Sequence, residues 1–221
     1  IWENTDIKRC RNLIDHGIYS HRGLINNYVD YILDVPGIFQ LDRKGNIEIT
    51  EQTLGERMNQ LNNNNELREL DIQAALHQIF TNVRLKNLVE VRGADRPPMG
   101  YEIAPVAFWT GILTVKSVRD EILSVISKWS IDDRNKWNKA SYSLDSSQLG
   151  PDGKSYAYWN SWAGEMALKG LGLRDRDESH LFYHFFNTVL ENGPFGLQAQ
   201  KALKSSNKLL KDFIFGTEAP A

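Results

Sequence analysis

Glu90 and Arg92 lie two residues apart, and Arg84 and Lys86 precede them on the same two-residue rhythm. In an extended strand that rhythm puts all four side chains on one face, with Glu90 and Arg92 about 7 Å apart. The separation is long for a direct ion pair unless the side chains converge. It suits two groups that grip one ligand, the carboxylate on a divalent cation and the guanidinium on a phosphate or carboxylate. Val83, Leu85, Val89 and Val91 take the opposite face, with Asn87 as its one polar member. A plain half-solvated strand also alternates, apolar side inward and polar side outward. Here, however, the polar face carries three cations and an acid instead of neutral threonine or glutamine. Gly93-Ala94-Asp95 then ends the segment abruptly, and Arg96-Pro97-Pro98 fixes the exit. The expected element is a strand over 83–92 that presents charge at a rigid turn.

Other candidates carry less. His180 and His184 have the four-residue spacing of two metal ligands on a helix, but Leu181 stands where a zinc protease has its glutamate, and no third ligand is in view. Phe182, Tyr183, Phe185 and Phe186 surround them, which favours a packed aromatic helix. Gly170-Leu171-Gly172 lacks the later glycine and the Lys-Ser/Thr pair of a phosphate loop. Cys10 lies among Lys8, Arg9 and Arg11, yet no histidine motif makes it a nucleophile. Phe108-Trp109 and the Trp159 to Trp162 stretch are expected to pack helices.

The elements that must position these groups follow from periodicity. Leu24, Tyr28, Tyr31 and Ile32 form a helical stripe that ends before Pro36. Residues 38–41 and 47–49 form a hairpin around the polar turn 42–46. Thr53 caps a helix carrying Leu54, Met58 and Leu61, and the run Asn62 to Asn65 is a surface loop. Residues 70–80 read as a helix. After Pro97-Pro98, helices are expected over 104–115, 118–129, 156–171, 178–190 and 197–214. Strands mainly within 36–95 followed by helices give an α+β class, with a mixed part over 1–100 and a helical part over 101–221.

Composition sets outer bounds. The 221 residues carry 26 Lys plus Arg against 28 Asp plus Glu, a net charge of −2, which gives no support to nucleic-acid or membrane-surface partners. At 41% hydrophobic and 10% aromatic residues a real core is possible, so disordered and collagen-like classes are excluded. No apolar run is long enough to span a bilayer. The single cysteine excludes an internal disulfide and suits a reducing compartment, hence a cytoplasmic protein. A start at Ile1-Trp2, without methionine or a secretory leader, reads as a chain cut from something longer.

Four ordered segments then resemble one family. Val83-Arg84-Leu85-Lys86 leading into Glu90-Val91-Arg92-Gly93-Ala94-Asp95 is similar to the "VRLK…E-x-RGAD" segment of plant and proteobacterial-type glutamate–cysteine ligases. Ile1-Trp2 through Thr5-Asp6 to Arg9 resembles the family's "IW…TD..R". Tyr28 through Pro36 resembles "YVDYALDVP", and Ala107 through Leu113 resembles "AFW.GLL". The likeness runs over most of the chain and is densest in residues 1–115.

The resemblance implies a glutamine-synthetase-like carboxylate–amine ligase, built on a curved, largely antiparallel sheet with helices outside. Such an enzyme uses ATP and Mg²⁺ to phosphorylate the γ-carboxylate of glutamate, and the amine of cysteine then displaces phosphate. It implies Glu90 as a Mg²⁺ ligand, Arg92 as the catalytic arginine on the transferring phosphoryl group, and Arg9 and Arg84 as substrate contacts. The remaining metal ligands would come from an N-terminal half that precedes this C-terminal portion of the catalytic domain. Leu88 and Met99 occupy positions where the plant-type pattern has an aromatic residue and a tryptophan that shape the amine pocket. Arg96 through Tyr101 also depart from the family's "GGPWRR". Cysteine, another amine acceptor, and a non-catalytic module derived from a ligase all stay open on these residues.

Overall fold

The computed structural model describes residues 5–205, which form two compact units dividing between Ala94 and Asp95. The α+β class holds. Among the described residues the strands make three two-stranded sheets, two antiparallel and one parallel.

In the first unit, helix α1 (Leu24–Leu33) buries Tyr28 and Ile32, four residues apart on its inner face. Strands β2 (Phe39–Leu41) and β3 (Ile47–Ile49) form the expected hairpin, with Phe39 opposite Ile49. Asp42 closes its turn: one carboxylate oxygen accepts the Lys44 and Asn46 amides at 2.8 and 2.7 Å. Thr53 caps helix α2 (Leu54–Asn63) as expected, and Glu56 returns a bond to the Thr53 amide at 2.7 Å. Helix α3 spans Glu69–His77. Tyr28, Ile32, Val35, Leu54, Ala75 and Ile79 close the core.

Three expectations here need correction. The run Asn62 to Asn65, expected as a loop, is helical through Asn63, where α2 ends. The helix expected to reach residue 80 stops at His77, because Phe80–Thr81 (β4) pairs in parallel with Cys10–Arg11 (β1). The Phe80 amide donates to Arg9 O at 2.8 Å, a partner remote in sequence. The single strand over 83–92 is instead a tight hairpin, β5 (Val83–Leu85) and β6 (Val89–Val91), turning at residues 86–88. Asn87, the one polar member of the apolar face, is in the turn. Val83 pairs with Val91, Arg84 with Glu90 and Leu85 with Val89, so odd residues oppose odd and even oppose even. A fold-back with that parity keeps every side chain on the face that a single strand would give it.

The second unit is helical. It runs α4 (Ala104–Thr114), α5 (Lys116–Ile126), α6 (Ile131–Ala140), α7 (Tyr156–Leu173), α8 (His180–Asn192) and α9 (Phe195–Ser205). Helix α6 was not among the expected elements, although Ser130 and Asp133 cap each other there as a capping box. Of the helix expected over 197–214, residues 206–214 lie outside the described residues, as do Ile1 to Asn4 of the resemblance. Helices α4 and α7 approach backbone to backbone at Gly111, Ala167 and Gly170, while Phe182 and Phe186 of α8 complete the core. Among the described residues, no helix is long and apolar enough to cross a membrane.

Candidate active site

The β5–β6 hairpin is pinned from below. The Leu85 amide donates to the buried Tyr28 hydroxyl at 3.2 Å, and Thr81 Oγ1 donates to Val83 O at 2.6 Å. Its open end is closed by the Arg92 amide on Asn82 O at 2.8 Å. On this frame the charged side chains are enclosed as far as or further than their apolar neighbours, against the pattern of a half-solvated strand. Arg84 is 6% exposed, whereas Val89 on the apolar face is 65% exposed.

Glu90 is the centre of the charged face. Its Oε2 accepts Arg84 Nε and Nη2 at 2.9 and 2.7 Å, with Lys86 Nζ at 3.2 Å, and its Oε1 accepts Arg92 Nη1 at 2.9 Å. The side chains therefore converge on direct ion pairs, which the backbone spacing alone argued against. The Arg84 hydrogen bonds, and after them those of Lys86 and Arg92, outweigh desolvation and hold the Glu90 carboxyl down at about 2. The Arg92 guanidinium lies over the Phe80 ring, 5.5 Å from its centroid, a cation–π contact with no local sign in the sequence. Arg92 Nε is enclosed without an acceptor.

Arg84 and Arg9 are both tied into the frame. Arg84 Nη1 donates to Ile79 O at 2.9 Å and His77 O at 3.2 Å. Arg9 Nη1 donates to Gln78 O at 3.2 Å, its Nη2 to Pro36 O at 2.6 Å, and its Nε pairs with Asp6. Two buried arginines thus take three successive carbonyls, that of His77 in the last turn of α3, one of the groups a helix leaves without partners, and those of Gln78 and Ile79 just beyond it. Their positive charge also complements the negative end of the helix dipole. Arg9 does not join the Glu90 cluster among the contacts described, while Arg84, Glu90 and Arg92 come together.

Three cations around one carboxylate leave the cluster at a net +2, which fits a polyanion such as a nucleotide's phosphates. A bare divalent cation does not fit so positive a surrounding. Among the described residues no group of three or more His, Cys, Asp or Glu side chains is arranged to hold a metal. A Mg²⁺ carried with phosphates needs only one or two protein carboxylates. Glu90 Oε1, which holds a single hydrogen bond, can supply one oxygen.

The other candidates are dispersed. His180 and His184 lie on the exposed side of α8, whose Phe182 and Phe186 are buried, so the aromatic-helix reading holds. Cys10 is buried, with its sulfur 3.9 Å from Thr5 Oγ1. Leu88 is exposed in the hairpin turn of the first unit and Met99 is exposed in the second.

The model of glutamate-cysteine ligase family 2 matches residues 1–209 of the chain. The chain is 32% identical over 142 residues to the chloroplastic glutamate–cysteine ligase of Nicotiana tabacum, a match covering 61% of this chain and 26% of that protein. It is 33% identical over 143 residues to the chloroplastic enzyme of Solanum lycopersicum, with 61% and 26% covered. To the chloroplastic ligase A of Oryza sativa subsp. indica it is 34% identical over 137 residues, with 61% and 27% covered. The matched stretch thus spans about a quarter of the length of these relatives. Their chloroplastic names overturn the cytoplasmic expectation, since a lone cysteine speaks to redox conditions and not to an address. With nearly its whole length matched by the family model, the chain belongs to glutamate-cysteine ligase family 2.

Proposed function

We propose that the complete protein carrying this chain ligates the γ-carboxylate of L-glutamate to the amine of L-cysteine at the expense of ATP, the first step of glutathione synthesis. The observation that carries this reading is the net-positive cluster around Glu90, mounted on a pinned hairpin in a chain of this ligase family. A glutamate oxygen attacks the γ-phosphorus of ATP and ADP leaves, giving γ-glutamyl phosphate. The cysteine amine then attacks the acyl carbon, loses a proton, and inorganic phosphate departs. Every stage crowds negative charge, and fixed cations lower its energy most when they are held before reaction.

In this reading Arg92 contacts the transferring phosphoryl group, and Glu90 Oε1 offers one ligand to the Mg²⁺ of the nucleotide. The metal would supply further charge neutralisation on the phosphate oxygens. Arg9 and Arg84 hold the frame at the end of α3. The β5–β6 hairpin belongs to a larger glutamine-synthetase-like antiparallel sheet, both units are parts of one catalytic domain, and the remaining metal ligands come from elsewhere in the complete protein. The plastid naming of the relatives takes the place of a cytoplasmic address.

Leu88 and Met99, both exposed, support a second reading in which the phosphorylation step is kept and the amine differs. Phosphate release by the complete protein with ATP, Mg²⁺, glutamate and a panel of amines tests both. Cysteine dependence, lost in Glu90→Gln and Arg92→Ala, supports the first reading. Release with a different amine supports the second. No glutamate-dependent release with any amine, or activity within threefold of wild type in both variants, overturns the site. The isolated 221-residue chain is expected to show little ligation by itself.

A further inference from the structure

Lys86 belongs to no role assigned above, yet it differs from its neighbours in how its hydrogens are used. Arg84 commits Nε, Nη1 and Nη2 to Glu90, Ile79 O and His77 O, and its side chain is 7% exposed. It has little left to offer a ligand. Glu90 Oε2 holds three donors, one more than its two lone pairs accommodate well. Two come from the rigid Arg84 fork at 2.9 and 2.7 Å, and Lys86 Nζ, at 3.2 Å, is the longest and therefore the surplus one. An ammonium has three hydrogens on a flexible four-carbon stem, and the Lys86 side chain, 14% exposed against 7% for Arg84, has no carbonyl partner among the described residues to hold it, so it leaves Glu90 more readily than the Arg84 fork does. Register adds the placement. Lys86 stands at the turn end of the hairpin and Arg92 at its open end, one on each side of the Arg84–Glu90 pair.

We propose that Lys86 is a phosphate-binding residue of this site, paired with Arg92 across Glu90, and that Arg84 positions Glu90 without touching ligand. The ligand class is a polyphosphate chain, the triphosphate of a nucleotide, whose successive oxyanions match two cations with a carboxylate between them. When the nucleotide binds, Lys86 Nζ transfers from Glu90 to a phosphate oxygen, and Arg84 keeps the carboxylate in place. The inference rests on the ligase reading above.

The test uses the complete protein and MgATP titrated by calorimetry, with initial rates beside it. Lys86→Gln is expected to raise the Kd for MgATP about tenfold or more, the usual scale for a lost charged hydrogen bond. The KM for ATP rises in step while kcat falls less, and Lys86→Arg recovers binding to within threefold. A second measurement needs no variant. MgATP is expected to shield Lys86 of the wild-type protein from reductive methylation, read by mass spectrometry. An unchanged Kd in Lys86→Gln with only a lower melting temperature makes Lys86 a structural ion pair and overturns the proposal. Unaltered methylation in the presence of MgATP does the same. Failure of the wild type to bind MgATP is a different result, and it removes the ligase reading together with this one.

Discussion

Arg84 gives two of its hydrogens to a single oxygen of Glu90, at 2.9 and 2.7 Å, and its remaining terminal nitrogen to the end of helix α3. The carboxylate at the centre of the site is thereby held by the same side chain that binds carbonyls at the end of a helix. Neutralising Glu90 frees three cations from their shared partner while Arg84 stays enclosed. A buried charge left without its partner costs several kcal/mol, and Glu90 is itself partly solvated. Glu90→Gln is expected to destabilise the chain by about 2 kcal/mol. Urea unfolding checks this, and a change below a few tenths would mean that water already screens the cluster.

Acid should act on the same pair. The folded carboxyl sits at about 2, below its ordinary value of 4.5, so its ionised form is favoured by folding. A depressed value contributes stability that is complete above the unfolded value and is lost as pH falls through the folded one. The window is therefore from about 4.5 down to about 2. Asp71, lowered by its hydrogen bonds from Arg68, contributes in the same direction. Unfolding midpoints between pH 5 and pH 2 should fall more steeply for wild type than for Glu90→Gln. Parallel curves would show that the pairing does not survive in solution.

Local signals carried much of this architecture. The turn at residues 42–46 and the Thr53 cap are spelled in contiguous residues, and both formed as read. The face occupied by Arg84, Lys86, Glu90 and Arg92 was legible too, because alternation survives a fold-back of this parity. The fold-back itself was hidden for the same reason, and Asn87 and Leu88, each out of character with its face, were its only marks. What the arginines do was not legible. Arg9 and Arg84 match a motif, and no local signal shows that they also bind the carbonyls of His77, Gln78 and Ile79, which depends on where α3 stops. The stop in turn depends on β4 pairing with β1, about seventy residues away in sequence.

Gln78 links that stop to the β2 strand. Fully enclosed, its Oε1 accepts the Ile38 and Phe39 amides at 2.6 and 3.2 Å, and its Nε2 donates to Phe39 O and Ala74 O at 2.9 and 3.2 Å. Gln78→Ala removes all four bonds and leaves part-buried backbone groups without those partners. The expected loss is about 3 kcal/mol, well above that of an exposed substitution. Hydrogen exchange should quicken at the Ile38 and Phe39 amides in the same variant. Unchanged exchange there would mean that the strand is held by other contacts.

Two of the three glycines of helix α7, Gly170 and Gly172, have surroundings that predict opposite outcomes for the same change. At Gly170 an added methyl meets the carbonyl of Gly111 on α4, and that neighbour is backbone and cannot swing away. At Gly172 nothing lies within 4 Å, and no positive φ is present. Alanine is preferred to glycine inside a helix by about 1 kcal/mol. Gly172→Ala is therefore expected to stabilise the chain by about 0.5 kcal/mol, somewhat less than the full preference because the site is near the helix end. Gly170→Ala must push α4 away from α7 and is expected to cost about 2 kcal/mol or more. Urea unfolding of the two variants side by side checks this, since helix propensity alone would stabilise both and close packing of α4 on α7 separates them.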